Sequence, residues 1–113
     1  SVYLSDGDWF GGAVLTNPAT NAILDDSGAL LGGNYLFAVI AGGTVAFVAD
    51  VEHRNAANSA NVNAMRIYVP ANSTILIPFP NDVVLAVDER VRVKLVAGVT
   101  GDVSMALFGK LVP

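Results

Sequence analysis

At 113 residues the chain has room for one domain with a real core, and such a domain buries roughly 65% of the surface its unfolded chain exposes. It is 53% hydrophobic and 14% charged with a net charge of −4, which leaves too few charges to cover a monomer generously and disfavours a nucleic-acid partner. The absence of cysteine excludes a disulfide framework and a thiolate metal site, and no apolar run approaches the ~20 residues that cross a bilayer as a helix.

The first 33 residues read as a loop-rich arm with fragments of strand. Val2-Tyr3-Leu4 and Ala13-Val14-Leu15-Thr16 are short strand candidates, separated by the turn-prone Ser5-Asp6-Gly7-Asp8. Asn17-Pro18, Asp25-Asp26-Ser27-Gly28 and Gly32-Gly33 punctuate the rest of the arm, leaving brief apolar pieces at 22–24 and 29–31. From residue 34 the strands become definite. Residues 35–40 are apolar on both faces and end at Gly42-Gly43, and residues 44–53 form a second run. An Asn- and Ala-rich stretch over 54–62 is expected to be the longest loop outside the arm, with one helical turn at most at 56–60. Strands at 64–69, 73–79 and 82–87 come next, the first closed by Pro70 and the second by Pro80-Asn81-Asp82. In Arg90-Val91-Arg92-Val93-Lys94-Leu95 the alternation is clean, the mark of a half-buried strand. Residues 90–97 and 102–112 are expected to pair as a hairpin across Gly98-Val99-Thr100-Gly101. The sum is an all-β, single-domain two-sheet β-sandwich or jelly roll of about eight strands: an arm over 1–33 belonging to the same domain and a sandwich core over 34–113. Its inward positions are predicted to include Phe37, Val39, Phe47, Ile67, Val69, Leu76, Val91, Val93, Leu95, Met105 and Leu107.

Charge is unevenly placed. Residues 1–53 hold six acids and no Lys or Arg, and the remainder holds all six basic residues with four acids, so the two portions carry −6 and +2. Either their strands interleave and neutralise one another, or the acidic portion faces a basic partner.

Little in the chain points to chemistry. The single histidine, His53, cannot build a cupin-type metal site alone, and no nucleophile elbow accompanies it. A strand-end histidine beside a polar loop reads as a solvated or capping side chain. Asp50 and Glu52 share a strand face, as a glycosidase pair or a Ca²⁺ site would need, but Arg54 next on that face is expected to neutralise them. Calcium at Ser5-Asp6-Gly7-Asp8 lacks the remaining ligands of a calcium loop. Gly11-Gly12, Gly32-Gly33 and Gly42-Gly43 lack the Lys and Ser/Thr of a phosphate loop and read as turns or bulges. The expectation is no enzyme, no cofactor and no metal. Trp9-Phe10, flanked by Asp-Gly-Asp and Gly-Gly, is open to three readings: a plug at one end of the sandwich, a protein contact, or a sugar platform.

Val51-Glu52-His53-Arg54-Asn55-Ala56-Ala57-Asn58, Tyr68-Val69-Pro70-Ala71-Asn72, and Asp88-Glu89-Arg90-Val91-Arg92-Val93 followed by Val99-Thr100-Gly101 resemble segments of tailed-phage head decoration, or cement, proteins. The likeness covers about residues 34–112. It implies a jelly-roll-like fold, a homotrimer on the outer surface of a virion, and the major capsid protein as partner, with an interface in place of a pocket. The expected product is made in the host cytoplasm without a signal peptide, Ser1 being the kind of residue left after removal of an initiator Met. Interface candidates are Trp9 and Phe10 as anchors, with Leu36, Ile40, Ile75, Ile77 and Phe79 as apolar surplus once the core is filled. A receptor- or glycan-binding sandwich such as a phage fibre head is the alternative, with Trp9, Phe10 and the Asn-rich loop as contacts.

Overall fold

The computed structural model describes residues 2–5, 8–79 and 81–113, and of residues 2–5 and 8–10 the backbone alone. Ten strands and no helix are found among them: β1 Val2–Ser5, β2 Asp8–Thr16, β3 Ile23–Asp26, β4 Gly33–Gly43, β5 Phe47–Arg54, β6 Asn61–Val69, β7 Ser73–Pro78, β8 Val83–Leu85, β9 Arg90–Leu95 and β10 Asp102–Val112. One sheet runs β1-β2-β10-β4-β7, with β8 also on β4; the other runs β3-β9-β5-β6. Every pairing is antiparallel.

The ladders β2·β10, β3·β9, β4·β7/β8 and β5·β6 match the chain against itself from its ends inward. They alternate between the two sheets. The chain is thus one long antiparallel hairpin, with its tip between β5 and β6, wrapped into a sandwich. That is jelly-roll connectivity. The connections run in matching pairs for the same reason. Residues 17–22 lie beside 96–101, where the Asn17 N–H donates to the Gly101 carbonyl at 2.8 Å. Residues 27–32 lie beside 86–89, where the Leu30 N–H donates to the Glu89 carbonyl at 2.9 Å.

This winding overturns the expected 90–97/102–112 hairpin, because β9 and β10 lie in opposite sheets. Residues 96–101 cross between the sheets. Gly98 has no room for a side chain there: a Cβ would sit 2.9 Å from the Thr20 nitrogen, while its own N–H donates to Thr20 Oγ1 at 2.8 Å. The N-terminal stretch also supplies more strand than expected. β2 spans nine residues and pairs with β10 over eight positions. Gly11-Gly12 is mid-strand, not a turn, and a Cβ on Gly12 would strike the Met105 carbonyl oxygen at 2.3 Å. β7 and β8 are two halves of one edge strand. Between Pro78, opposite Ala38, and Val83, opposite Tyr35, the edge has two more residues than β4.

The core follows two-residue alternation. Odd-numbered residues of β4 and β10 (Tyr35, Phe37, Val39, Ala41; Val103, Met105, Leu107) meet Phe47, Ala49, Val51, Ile67, Val69, Val91, Val93 and Leu95 from the other sheet, all buried. Ten of the eleven predicted inward residues are in this layer. Leu76 is not: it is 64% exposed. Its neighbours Ile75 and Ile77 turn inward instead, because Leu76 stands opposite Ile40 on the outer face of β4. The β5–β6 tip is tighter than its composition suggests. Its six residues, 55–60, are no more numerous than those at 17–22, 27–32 or 96–101. The Asn55 side chain accepts from the Ser59 N–H at 2.8 Å, and Arg54 donates to the Asn58 side chain and carbonyl at 2.9 and 2.8 Å.

Candidate functional site

The registers define the two outer faces of the sandwich. On the β3-β9-β5-β6 sheet, Asp50, Glu52 and Arg54 stand opposite Lys94, Arg92 and Arg90, and Asp50 also stands opposite Arg66. Five of the six basic residues of the chain are on this face. Arg92 Nε is 2.7 Å from Glu52 Oε1, Lys94 Nζ is 3.7 Å from Oε2, and Asn61 donates to Oε2 at 2.9 Å. Arg66 grips Asp50 with two bonds of 2.8 and 3.1 Å, and Arg90 reaches Asp26 at 3.5 Å. Asp26, Asp50 and Glu52 of the first half are therefore neutralised by bases of the second half, across strands. Arg54, expected to neutralise Asp50 and Glu52, spends its guanidinium on Asn58 and Asn61 at the tip.

Glu52 is 2% exposed although it points outward, because its partners cover it. Burial works to raise its carboxyl pKa, but hydrogen bonds from Asn61 and Arg92 and the charges of Arg92 and Lys94 outweigh it and hold the group below its ordinary value. Asp50 is also held low, chiefly by the Arg66 hydrogen bond.

On the opposite face the pattern is inverted. Ala106, Ile40 and Leu76 form one cross-strand row, and Phe108, Ala38 and Pro78 form the next. Val14 extends the face on the β2 side and Val84 on the β8 side. Val14, Leu36, Ile40, Leu76 and Val84 are 67%, 44%, 37%, 64% and 69% exposed. Among the residues whose side chains are described, the strands of this face carry two charges, Lys110 and, at its margin, Asp102. A hollow of about 260 Å³ opens beside Ile40, floored by Gly42 and rimmed by Thr74, Ser104 and Asn72.

Of the sequence-predicted interface residues, Leu36 and Ile40 project from this apolar face. Ile75, Ile77 and Phe79 are half-buried and packed against the core, and Leu76 and Pro78 occupy the outer face of that strand in their stead. The backbones of Trp9 and Phe10 lie in β2 opposite Gly109 and Phe108, and their side chains are outside the described residues, as are Asp6 and Gly7 of the calcium candidate. Ala106 and Phe108 were legible as outward residues from the inward placement of Met105 and Leu107. Leu76 was not, since Ile75-Leu76-Ile77 has no polar residue to set its parity.

His53 sits inside the sandwich, not at a solvated strand end. It is 7% exposed, and its Nε2 lies 2.9 Å from Glu89 Oε1. The Ala86 N–H, at 2.7 Å, and His53 both hold the Glu89 carboxyl below its ordinary value. No serine or other nucleophile is hydrogen-bonded to His53 among the described residues, and no group of three or more His, Asp and Glu side chains there is placed to hold a metal ion. Neither a protein-family model nor a curated protein matches the chain in sequence.

Proposed function

We propose that the chain is a structural assembly module that docks through the apolar outer face of the β1-β2-β10-β4-β7 sheet, and that the assembly is a phage capsid which it decorates as a homotrimer. The observation that carries the docking reading is the segregation of the two faces: five of six cations on one, and Leu36, Ile40, Leu76 and Val84 exposed on the other. Leaving apolar surface wet forfeits roughly 25 cal/mol per Å², and a symmetric neighbour recovers it while closed symmetry stops growth. The capsid, and three copies in place of two, come from the resemblance of residues 51–58, 68–72 and 88–93 to decoration proteins. The jelly-roll connectivity supports it as the architecture such proteins are expected to have.

The test has two stages. Sedimentation velocity at micromolar concentration is expected to give a trimer, and Ile40→Lys with Leu76→Lys a folded monomer. A wild-type chain that stays monomeric sinks self-association. Phage heads banded on a density gradient are expected to carry the wild-type chain and to lose the double variant; a chain that never bands with heads removes the capsid.

A further inference from the structure

The inner surface of β6 is covered over only half its length. Asn63, Met65, Ile67 and Val69 face the other sheet, opposite His53, Val51, Ala49 and Phe47. Ile67 and Val69 are 5% and 2% exposed, whereas Met65 is 38% exposed and Asn63 is open. Facing that uncovered half are Phe79 and Val83, on either side of the break between β7 and β8. The result is a cleft of about 220 Å³ with Phe37, Met65, Phe79 and Val83 on its apolar walls and His53 and Asn63 at one end. Phe37 and Phe79 meet at a tilt of 60° with ring centroids 5.6 Å apart, an aromatic corner.

The polar end is built, not incidental. The His53 side chain is 8% exposed, and its Nε2 hydrogen bonds to Glu89. An ionised carboxylate only accepts, so Nε2 carries a proton, and in the tautomer with that proton alone Nδ1 keeps a lone pair. That nitrogen is buried and has no hydrogen-bond partner. Buried polar atoms are normally satisfied, and this one belongs to a residue that lines an apolar cleft.

We propose that the cleft binds a small single-ring phenol, with the ring against Phe37 and Phe79 and the hydroxyl donating to His53 Nδ1. An apolar cavity of about 150 Å³ holds benzene, so 220 Å³ admits one ring with a substituent. Nδ1 is buried, so this binding mode requires a lining side chain to swing aside. Met65 is exposed and unbranched, with three rotatable bonds, and is the wall with freedom to do so. This site is independent of the apolar outer face and of any capsid.

The experiment is a titration of the full chain with 4-methylphenol, followed by NMR. The chain has one histidine, so its ring signals need no assignment. The expected result is a saturable shift of the His53 ring nitrogen signals and of the Met65 methyl, with toluene binding about tenfold more weakly for want of the hydroxyl. His53→Ala risks the core, so the cleft is blocked instead with Val83→Trp, which keeps His53 and is expected to abolish the shifts in a folded chain. No saturable shift at His53, equal binding of toluene, or binding retained in folded Val83→Trp overturns the proposal.

Discussion

The two sheets contribute the same kind of residue to the core and opposite kinds to the outside. β9 alternates Val91, Val93 and Leu95 inward with Arg90, Arg92 and Lys94 outward, while β4 alternates Tyr35, Phe37, Val39 and Ala41 inward with Leu36, Ala38 and Ile40 outward. The inner layers are interchangeable in chemistry, so the difference is not a requirement of folding. A chain with 14% charged residues has placed five of its six cations on one face and few charges on the other.

The sharpest break in the comparison is on one strand. Val93→Asp places a carboxylate in the shared core, where Val93 is wholly buried, and is expected to cost on the order of 3–5 kcal/mol. The same change at Arg92 or Lys94, one residue away, loses an ion pair and leaves the core intact. Urea denaturation of the variants checks the ranking, and equal losses at 92 and 93 would mean that the faces are misassigned.

Next in size is the hub of the charged face. Glu52→Gln leaves Arg92 and Lys94 without their counter-charge. Their side chains remain 17% and 27% exposed, so water relieves part of the penalty, and about 2 kcal/mol is expected in place of the larger loss from a fully buried pair. Asp50→Asn is expected to lower the melting temperature less, since Arg66 is half exposed and water replaces its partner.

Acid offers a gradual form of the same loss. Asp50, Glu52 and Glu89 are all held below their ordinary values in the folded chain. A depressed carboxyl stabilises the fold above its unfolded pKa and ceases to as pH falls through the folded one. Melting temperature is therefore expected to be level from pH 7 to about 5 on the charge of these groups, and to fall below about pH 4. Glu52→Gln is expected to flatten that fall, and an unchanged slope would show that the Glu52 carboxylate contributes nothing to acid stability.

How much of this was readable depended on whether a strand carried its own polarity. Arg90-Val91-Arg92-Val93-Lys94-Leu95 declares its inward face residue by residue. Ile75-Leu76-Ile77 declares nothing, and Leu76 took its side from Ile40 across the ladder. The β9–β10 connection failed for a related reason: four residues bounded by glycines suit a hairpin, but the partners of both strands lie far off in the chain, at Asp26 and at Thr16 and Gly43. The cleft was unreadable because it depends on the break between β7 and β8 lying opposite Met65. The prolines at 78 and 80 marked where the edge ends, not what it would uncover.

The smallest effect on the fold is expected where the effect on association is greatest. Leu76→Lys adds a charge to an edge strand at a residue already 64% exposed, so its long side chain reaches water without moving anything. Monomer stability is expected to change by no more than about 0.5 kcal/mol. In an oligomer built on this face the same ammonium would be trapped against Ile40 and its symmetry mates without a partner. The two consequences separate by mass action. Wild-type stability is expected to rise with protein concentration because assembly selects the folded state, whereas Leu76→Lys stability is expected to be independent of it. Denaturation midpoints measured over a hundredfold range of concentration make the distinction. Parallel behaviour of the two chains would mean that the apolar face carries no contact between copies, and the contrast between the two faces would then have to be explained by a partner of another kind.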